Sequence, residues 1–250
     1  MPAGAAQLHA ELVQAQAVIA GLERFVYICS HDLREPLRMI TGFLGLLQRR
    51  SQGMSAAQLE YLGLSLDGAM RLDAMLEALL RHSRLGRTRS VGAVALGPLA
   101  REVQERLGAA HGLPASIWTT GELPEVWADR QQLETMLSEL FANALRFIAP
   151  GTTPSVAFSA LPAAAGGWRL RVADRGLGIP SGERERAFEV FSRLHTVPGE
   201  QGVGIGLSLC AKIVEQHRGR IWIEDNPPDH GHPAGGGTVV LIELPGRPPR

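Results

Sequence analysis

The chain has only two cysteines, Cys29 and Cys210, in 250 residues, and they form no CxxC pair. Each lies in an apolar pattern with helical spacing, so we expect small core residues in a reducing compartment rather than a disulfide. Eight histidines are present, but none belongs to an HExxH or CxxH pattern. The sequence therefore gives no indication of a zinc site.

Net charge and long apolar runs are also missing. Twenty-five basic residues balance 25 acidic ones, which does not favour an extended contact with nucleic acid. No apolar run approaches the ~20 residues that cross a bilayer, and the first residues lack the basic segment of a signal peptide. We therefore expect a cytoplasmic protein with neither nucleic acid nor membrane as a partner.

The N-terminal part has a strong heptad pattern. Apolar residues alternate in spacings of four and three, at Leu8, Leu12, Ala15, Ile19, Leu22, Val26, Cys29 and Leu33. This seam predicts a long helix paired with another helix, with a bend at Pro36. A turn with Ser55 as N-cap and a second amphipathic helix are expected to follow. Because two such helices cannot bury both faces alone, the pattern predicts a homodimeric four-helix bundle.

From about residue 91 the pattern changes to shorter, mixed elements. Helices are predicted at Pro98–Leu107, Asp129–Phe147 and Leu207–His217. Strands are predicted at Ala115–Thr119, Ser155–Ala160, Trp168–Ala173, Arg220–Glu224 and Thr238–Leu244. Such a mixture favours an α/β sandwich in which helices cover one face of a mainly antiparallel sheet.

Two glycine clusters and one histidine carry the chemistry of this sequence. The clusters are Asp174-Arg-Gly176-Leu-Gly178 and Gly202-Val-Gly204-Ile-Gly206. Alternate glycines let backbone N–H groups approach phosphates, although a bare Gly-x-Gly is as often a turn. His31 falls at heptad position f, which faces solvent, and Asp32 can hold one of its ring nitrogens. A surface histidine on a coiled coil is the alternative, but the combination favours an ATP-using kinase that modifies its own histidine.

Five segments resemble, in order, the motifs of sensor histidine kinases of two-component systems. Residues 25–37 resemble the phosphoacceptor box, 129–147 the asparagine box, 174–178 the first glycine box, 187–193 the phenylalanine box and 202–207 the second glycine box. The match covers roughly residues 20–245, and Arg193-Leu-His195 is most similar to phytochrome-type kinases. The resemblance implies an α+β protein: a helical hairpin forming a dimeric four-helix bundle, then an ATP-binding sandwich of the GHKL (histidine kinase/gyrase-like) type.

The resemblance also implies a division of the chain and a reaction. Residues 1–22 would be a coiled-coil linker, 23–88 the dimerisation and phosphotransfer domain, and 91–250 the ATP-binding catalytic domain. His31 would take a phosphoryl group from ATP with Mg²⁺ and pass it to an aspartate of a response-regulator receiver domain. A sensor domain upstream in cis would supply the input.

Roles for single residues follow from the same resemblance. His31, Asp32 and Glu139 would be catalytic, and Asn143 with Glu139 would hold Mg²⁺. The nucleotide would contact Asn143, Arg146, Asp174, Gly176, Gly178, Arg193, Gly202, Gly204, Gly206 and Leu207, with residues 194–201 as a lid. An ordinary polar helix face is the alternative for Glu139 and Asn143. Phe188 and Phe191 are either core residues or part of the lid coupling.

Three rival functions remain open at this point. Glu35 stands where many family members carry Thr or Asn, and an ionised carboxylate cannot donate a hydrogen bond, which puts that route to phosphatase activity in doubt. A phosphatase-biased or catalytically weak module that binds a response regulator is the first rival. A degenerate scaffold and an ATPase that transfers phosphate to water are the others.

Overall fold

The computed structural model describes residues 2–85, 90–112, 118–148, 152–163, 166–195, 202–226 and 237–246. The chain divides into two compact units, Met1–Arg84 and Leu85–Arg250. The predicted domain boundaries, at 22/23 and near 88–91, stay predictions.

The first unit is a pair of contacting helices, α1 (Pro2–Arg49) and α2 (Ala56–Arg84). Helix α1 continues through Pro36, and the adjacent Leu37 is buried with Ala69 and Leu76 of α2. The predicted N-cap at Ser55 is confirmed: Gln58 N donates to Ser55 Oγ over 3.3 Å, and Ser55 N donates to Gln58 Oε1 over 2.8 Å. This reciprocal pair is a capping box, so the turn and the start of α2 are encoded locally.

Much of the apolar surface of this unit is exposed in the single chain. Side chains that are 49–67% exposed include Phe25, Ile28, Leu33, Met39 and Phe43. The side chains of the seam residues 8, 12, 15, 19 and 22 lie outside the described set. Apolar side chains exposed at this level along one helix indicate a surface that a partner covers.

In its described residues, the second unit combines a five-stranded sheet with three α-helices. Its helices are α3 (Leu96–His111), α4 (Arg130–Arg146) and α5 (Gly206–Gln216). The strands are β1 (Val91–Ala95), β2 (Trp118–Thr120), β3 (Glu125–Asp129), β4 (Val156–Pro162), β5 (Trp168–Asp174), β6 (Arg220–Asp225) and β7 (Thr238–Leu244). The sheet order is β2-β4-β5-β7-β6, with β2 parallel to β4 and the other pairs antiparallel. The α+β class with a helical first part and a sheet-containing second part is confirmed.

The core lies between the sheet and the helices. Phe141 of α4 is fully buried, with its ring centroid 5.3 Å from that of Trp118 and 5.5 Å from that of Phe158. Cys210 of α5 is buried in the same core, as predicted, and burial raises the pKa of its thiol well above the ordinary value. Cys29 in α1 is half-buried.

A separate two-stranded ribbon of β1 and β3 was not predicted from the sequence. The sequence of β1 is Val-Gly-Ala-Val-Ala, which has no apolar–polar alternation from which a strand could be recognised. The predicted strand Ala115–Thr119 overlaps β2, although residues 113–117 lie outside the described residues.

Candidate functional site: an exposed histidine and an ATP-type cleft

His31 lies on α1 in the first unit, with its side chain 73% exposed, and neighbouring Asp32 is 71% exposed. Within the single chain this agrees with the outward-facing f position. His31 Nδ1 lies 3.1 Å from Asp32 Oδ1. Because a carboxylate only accepts, Nδ1–H donates, and Nε2 of a neutral ring keeps its lone pair.

A cleft in the second unit brings together residues that are far apart in sequence. It lies where the end of α4, the loop after β5 and the start of α5 meet. The predicted nucleotide residues that line it are Asn143, Arg146, Asp174, Gly178, Arg193, Gly202, Gly204, Gly206 and Leu207. Glu139 and Gly176 do not line the cleft, but each lies beside a residue that does: Glu139 beside Gly206, and Gly176 beside Asp174.

Helix α4 presents Glu139, Asn143 and Arg146 on one face because their spacings are four and three residues. Asp129 caps this helix, with Oδ1 accepting from Gln132 N over 3.0 Å and Oδ2 from Ser90 N over 2.7 Å. Burial acts to raise the pKa of Asp129, but bonds from backbone N–H groups outweigh it and the pKa is lowered. The cap therefore stays ionised and fixes where α4 begins.

The polar face of α4 meets the second glycine cluster. A Cβ added at Gly206 would lie 2.8 Å from Glu139 Oε2 and 3.3 Å from Asn143 Nδ2. Gly206 is also the first residue of α5, where backbone N–H groups have no intrahelical partner and attract anions. The carboxylate of Glu139, the amide of Asn143 and the positive end of the α5 dipole therefore lie together at Gly206.

Asp174 is the last residue of β5 and the first residue of the first glycine cluster, and two backbone hydrogen bonds hold its carboxylate. Its Oδ1 accepts from Gly176 N over 2.8 Å and from Thr238 N over 3.0 Å. Burial raises the pKa of Asp174, and these two N–H bonds partly oppose the shift. Both of these donors bond Oδ1, which among the described residues leaves Oδ2 for a ligand in the cleft.

The glycines serve two different purposes in this site. At Gly176 an added Cβ would overlap the carbonyl oxygen of Phe147, which accepts a bond from Leu177 N over 2.8 Å. Gly176 thus lets the loop after β5 approach the end of α4. Gly178 and Gly204 have φ of 71° and 76°, a left-handed conformation that favours glycine.

Gly204→Ala is expected to destabilise the second unit by about 1–3 kcal/mol. The alanine would keep the left-handed φ, and its Cβ would lie 2.5 Å from the carbonyl oxygen of Ser192. Gly202→Ala is the matched control, because among the described residues its new Cβ meets only the flexible end of Arg146, at 3.3 Å. Thermal unfolding of both variants measures the difference, and equal stabilities would contradict this account of Gly204.

Several residues at the site were missed from the sequence. Thr238, for which no role was predicted, lines the cleft. His195 lines it as a residue of the expected lid; its Nε2–H donates to Gly178 O over 2.7 Å, and its ring centroid lies 6.0 Å from that of Phe147. Asn226 and Gly237 contact the backbone of Asp174. The start of a predicted strand was a local signal for Thr238, but nothing local connects it to Asp174, 64 residues earlier.

Two predictions concerned the segment after β5. Residues 196–201 of the expected lid lie outside the described residues, whereas Leu194 and His195 line the cleft. Phe188 packs against the core, which favours the core interpretation for this residue. Phe191 is 40% exposed, with a φ of 65°.

Family comparisons match both units. A family model described as "Histidine kinase-, DNA gyrase B-, and HSP90-like ATPase" matches residues 128–248, and one described as "His Kinase A (phospho-acceptor) domain" matches residues 22–88.

In the described residues no helix is long and apolar enough to cross a membrane.

Curated relatives include two phytochromes and a sensory kinase. Cyanobacterial phytochrome A of Nostoc sp. is 34% identical over 82% of this chain and 27% of the relative. Phytochrome-like protein Cph1 of Synechocystis sp. is 30% identical over 90% of this chain and 29% of the relative. Adaptive-response sensory kinase SasA of Synechococcus elongatus is 31% identical over 81% of this chain and 55% of the relative. The chain thus spans between a quarter and just over half of these proteins.

Solved structures agree with the sequence relatives. Full-length ShkA in complex with AMPPNP is 26% identical, with a TM-score of 0.60, and the match covers 89% of this chain and 45% of that one. The mycobacterial sensor histidine kinase MprB is 25% identical, with a TM-score of 0.52, over 64% of this chain and all of that one. With both domain matches, the exposed His31 and the glycine-rich cleft, the chain belongs to the sensor histidine kinases, a family of ATP-dependent phosphotransferases.

Proposed function

We propose that this chain is the output module of a two-component sensor kinase that autophosphorylates His31 from ATP and passes the phosphoryl group to a response-regulator aspartate. In this proposal residues 1–22 link to a sensor in cis, 23–88 form the dimerisation and phosphotransfer domain, and 91–250 form the catalytic domain, all in the cytoplasm. One observation carries it: nine predicted nucleotide residues line one cleft, seven from α4 and both glycine clusters together with Arg193 and Leu207.

In this proposal ATP lies along the cleft. Asp174 Oδ2 would accept from the adenine amino group, while the glycine cluster at 202–206 and the start of α5 would offer N–H groups to the triphosphate. Arg146 adds a guanidinium where phosphates would lie. ShkA, whose structure resembles this one, was solved with the ATP analogue AMPPNP, which supports the same ligand class here.

Asn143 and Glu139 would hold Mg²⁺. An amide oxygen and a carboxylate are hard ligands suited to this ion, and both side chains close on the start of α5. When bound, the ion supplies neutralisation of charge on the β- and γ-phosphates.

The chemistry at His31 follows from its contact with Asp32. With Nδ1–H donated to the carboxylate, the Nε2 lone pair attacks the γ-phosphorus of ATP. An N–P bond forms, the bond from phosphorus to the β–γ bridging oxygen breaks, and ADP leaves. Asp32 stabilises the positive charge on the ring and can accept the Nδ1 proton. In the second transfer a receiver aspartate oxygen replaces the histidine nitrogen on phosphorus.

A homodimer is part of this proposal. The exposed apolar side chains along α1 and α2, such as Phe25, Phe43 and Leu64, lack a cover in the single chain. A second copy would bury them in a four-helix bundle.

Incubation of the chain with γ-labelled ATP and Mg²⁺ tests the proposed function. The expected result is label on the protein that is lost in acid and retained in base, the behaviour of a phosphorus–nitrogen bond. Release of all label as inorganic phosphate would instead indicate an ATPase. Absence of both products, with ATP still bound, would indicate a scaffold.

A further inference from the structure

Asn226 directly follows β6 and forms hydrogen bonds to two other strand ends: Asp174, where β5 ends, and Gly237, just before β7 begins. Its Nδ2 donates to the backbone carbonyl of Asp174 over 2.8 Å. Its own backbone N–H donates to Gly237 O over 3.0 Å. Asn226 thus contacts β5 with its side chain and the start of β7 with its backbone.

Arg171 fixes the orientation of this amide. Arg171 Nη2 donates to Asn226 Oδ1 over 3.1 Å. Because a guanidinium can only donate, the amide oxygen must face Arg171 and the amide nitrogen must face Asp174. Arg171 and Asp174 are three residues apart on β5 and so point to opposite faces of the sheet. The two hydrogen bonds of the Asn226 side chain therefore connect Arg171 to the backbone of Asp174, whose side chain lies on the other face.

Gly237 links the hydrogen bonds of Asn226 to the position of the Asp174 carboxylate. A Cβ at Gly237 would overlap the carbonyl oxygen of Asp174, so the two backbones touch. The next residue, Thr238, donates its N–H to Asp174 Oδ1 over 3.0 Å. By holding Gly237 in place, Asn226 also sets the position of the Thr238 N–H, which bonds Oδ1 of a carboxylate that lines the cleft.

We propose that Asn226, oriented by Arg171, is a positioning residue for base recognition: it holds Asp174 so that the cleft selects a purine carrying an exocyclic amino group. This inference rests on the proposed binding of ATP in the cleft. Asn226 does not touch the nucleotide, so its effect is on discrimination among bases rather than on the phosphoryl-transfer step. A misaligned acceptor loses directional hydrogen bonding even when the pocket itself is intact.

Calorimetric titration of the full chain with two nucleotides tests this role. The nucleotides are ATP and purine riboside triphosphate, which lacks only the adenine amino group. The wild type is expected to bind ATP more tightly than the analogue. Asn226→Ala is expected to weaken ATP binding by about fivefold to tenfold, the range for one lost hydrogen bond, and to leave the analogue unchanged. Glu224→Gln is the control, because Glu224 bonds Trp222 Nε1 rather than Asp174.

Asn226→Asp keeps the size of the side chain and the acceptor for Arg171 but cannot donate to the Asp174 carbonyl. It decides the question if the alanine variant unfolds, as judged by thermal melting, and it should likewise lose the preference for ATP. Equal weakening of both nucleotides, or full discrimination in the folded variants, would overturn the inference. A wild type that binds neither nucleotide would contradict the proposed function instead.

Discussion

Replacement of His31 by glutamine is expected to abolish labelling of the chain by γ-labelled ATP. Glutamine is polar and of similar length, but its amide nitrogen has no available lone pair to attack phosphorus. His31 is 73% exposed on α1, so the change should leave the helical hairpin intact. It lies in a different compact unit from the cleft, and nucleotide affinity should therefore be retained.

His111→Gln is the matched control for this experiment. His111 is also exposed and ends α3, and the same substitution there should keep full labelling. Autoradiography of both variants, with ATP affinity measured in parallel, gives the comparison. Label that persists on the His31 variant would assign the phosphoacceptor to another side chain.

Local features of this fold could be predicted from the sequence because their causes lie within a few residues. The Ser55 cap needs only Gln58, three positions later. Strands β4 and β5 follow from two alternating segments with a short connection, and they pair antiparallel from Val156–Asp174 to Pro162–Trp168 beside that connection. The polar face of α4 is likewise set by helical spacing alone.

Features that depend on topology could not be predicted in this way. Strand β1 pairs with β3 through Val91 and Asp129, 38 residues apart, and neither strand is marked by alternation strong enough to predict it. The contact between Asp174 and Thr238 likewise requires β5 and β7 to be neighbours in the sheet. A hydrophobic pattern indicates that a strand exists but does not indicate its neighbour.

The resemblance to family motifs assigned functional roles that the hydrophobic patterns could not assign. It did not indicate the physical reason why a given residue is needed. It placed Gly176 at the nucleotide, whereas the structure shows the loop pressed against the carbonyl of Phe147. It also did not indicate Asn226, because that residue lies between β6 and the segment before β7, outside every box. Residues that support a site through backbone contacts leave little trace in a motif.

Asn143→Asp is expected to reduce autophosphorylation by at least about a hundredfold, the usual cost of losing one preorganised electrostatic group in an active site. The added charge would lie one helical turn from Glu139, on the same face of α4, and beside the start of α5. Two adjacent carboxylates repel each other and the phosphates, and one of them is favoured in its protonated form. The amide ligand proposed for Mg²⁺ is lost at the same time.

Gln131→Glu provides the same change of charge in the same helix, at an exposed position outside the cleft, and should label at nearly the wild-type rate. ATP affinity measured with and without Mg²⁺ then separates binding from transfer. We expect Mg²⁺ to strengthen ATP binding by the wild type but not by the Asn143 variant, while both variants should melt near the wild-type temperature. Asn143 and Glu139 share one face of α4 and both lie at Gly206. A normal labelling rate in the Asn143 variant would therefore contradict a role for Asn143 as a Mg²⁺ ligand and would leave Glu139 as the one proposed ligand.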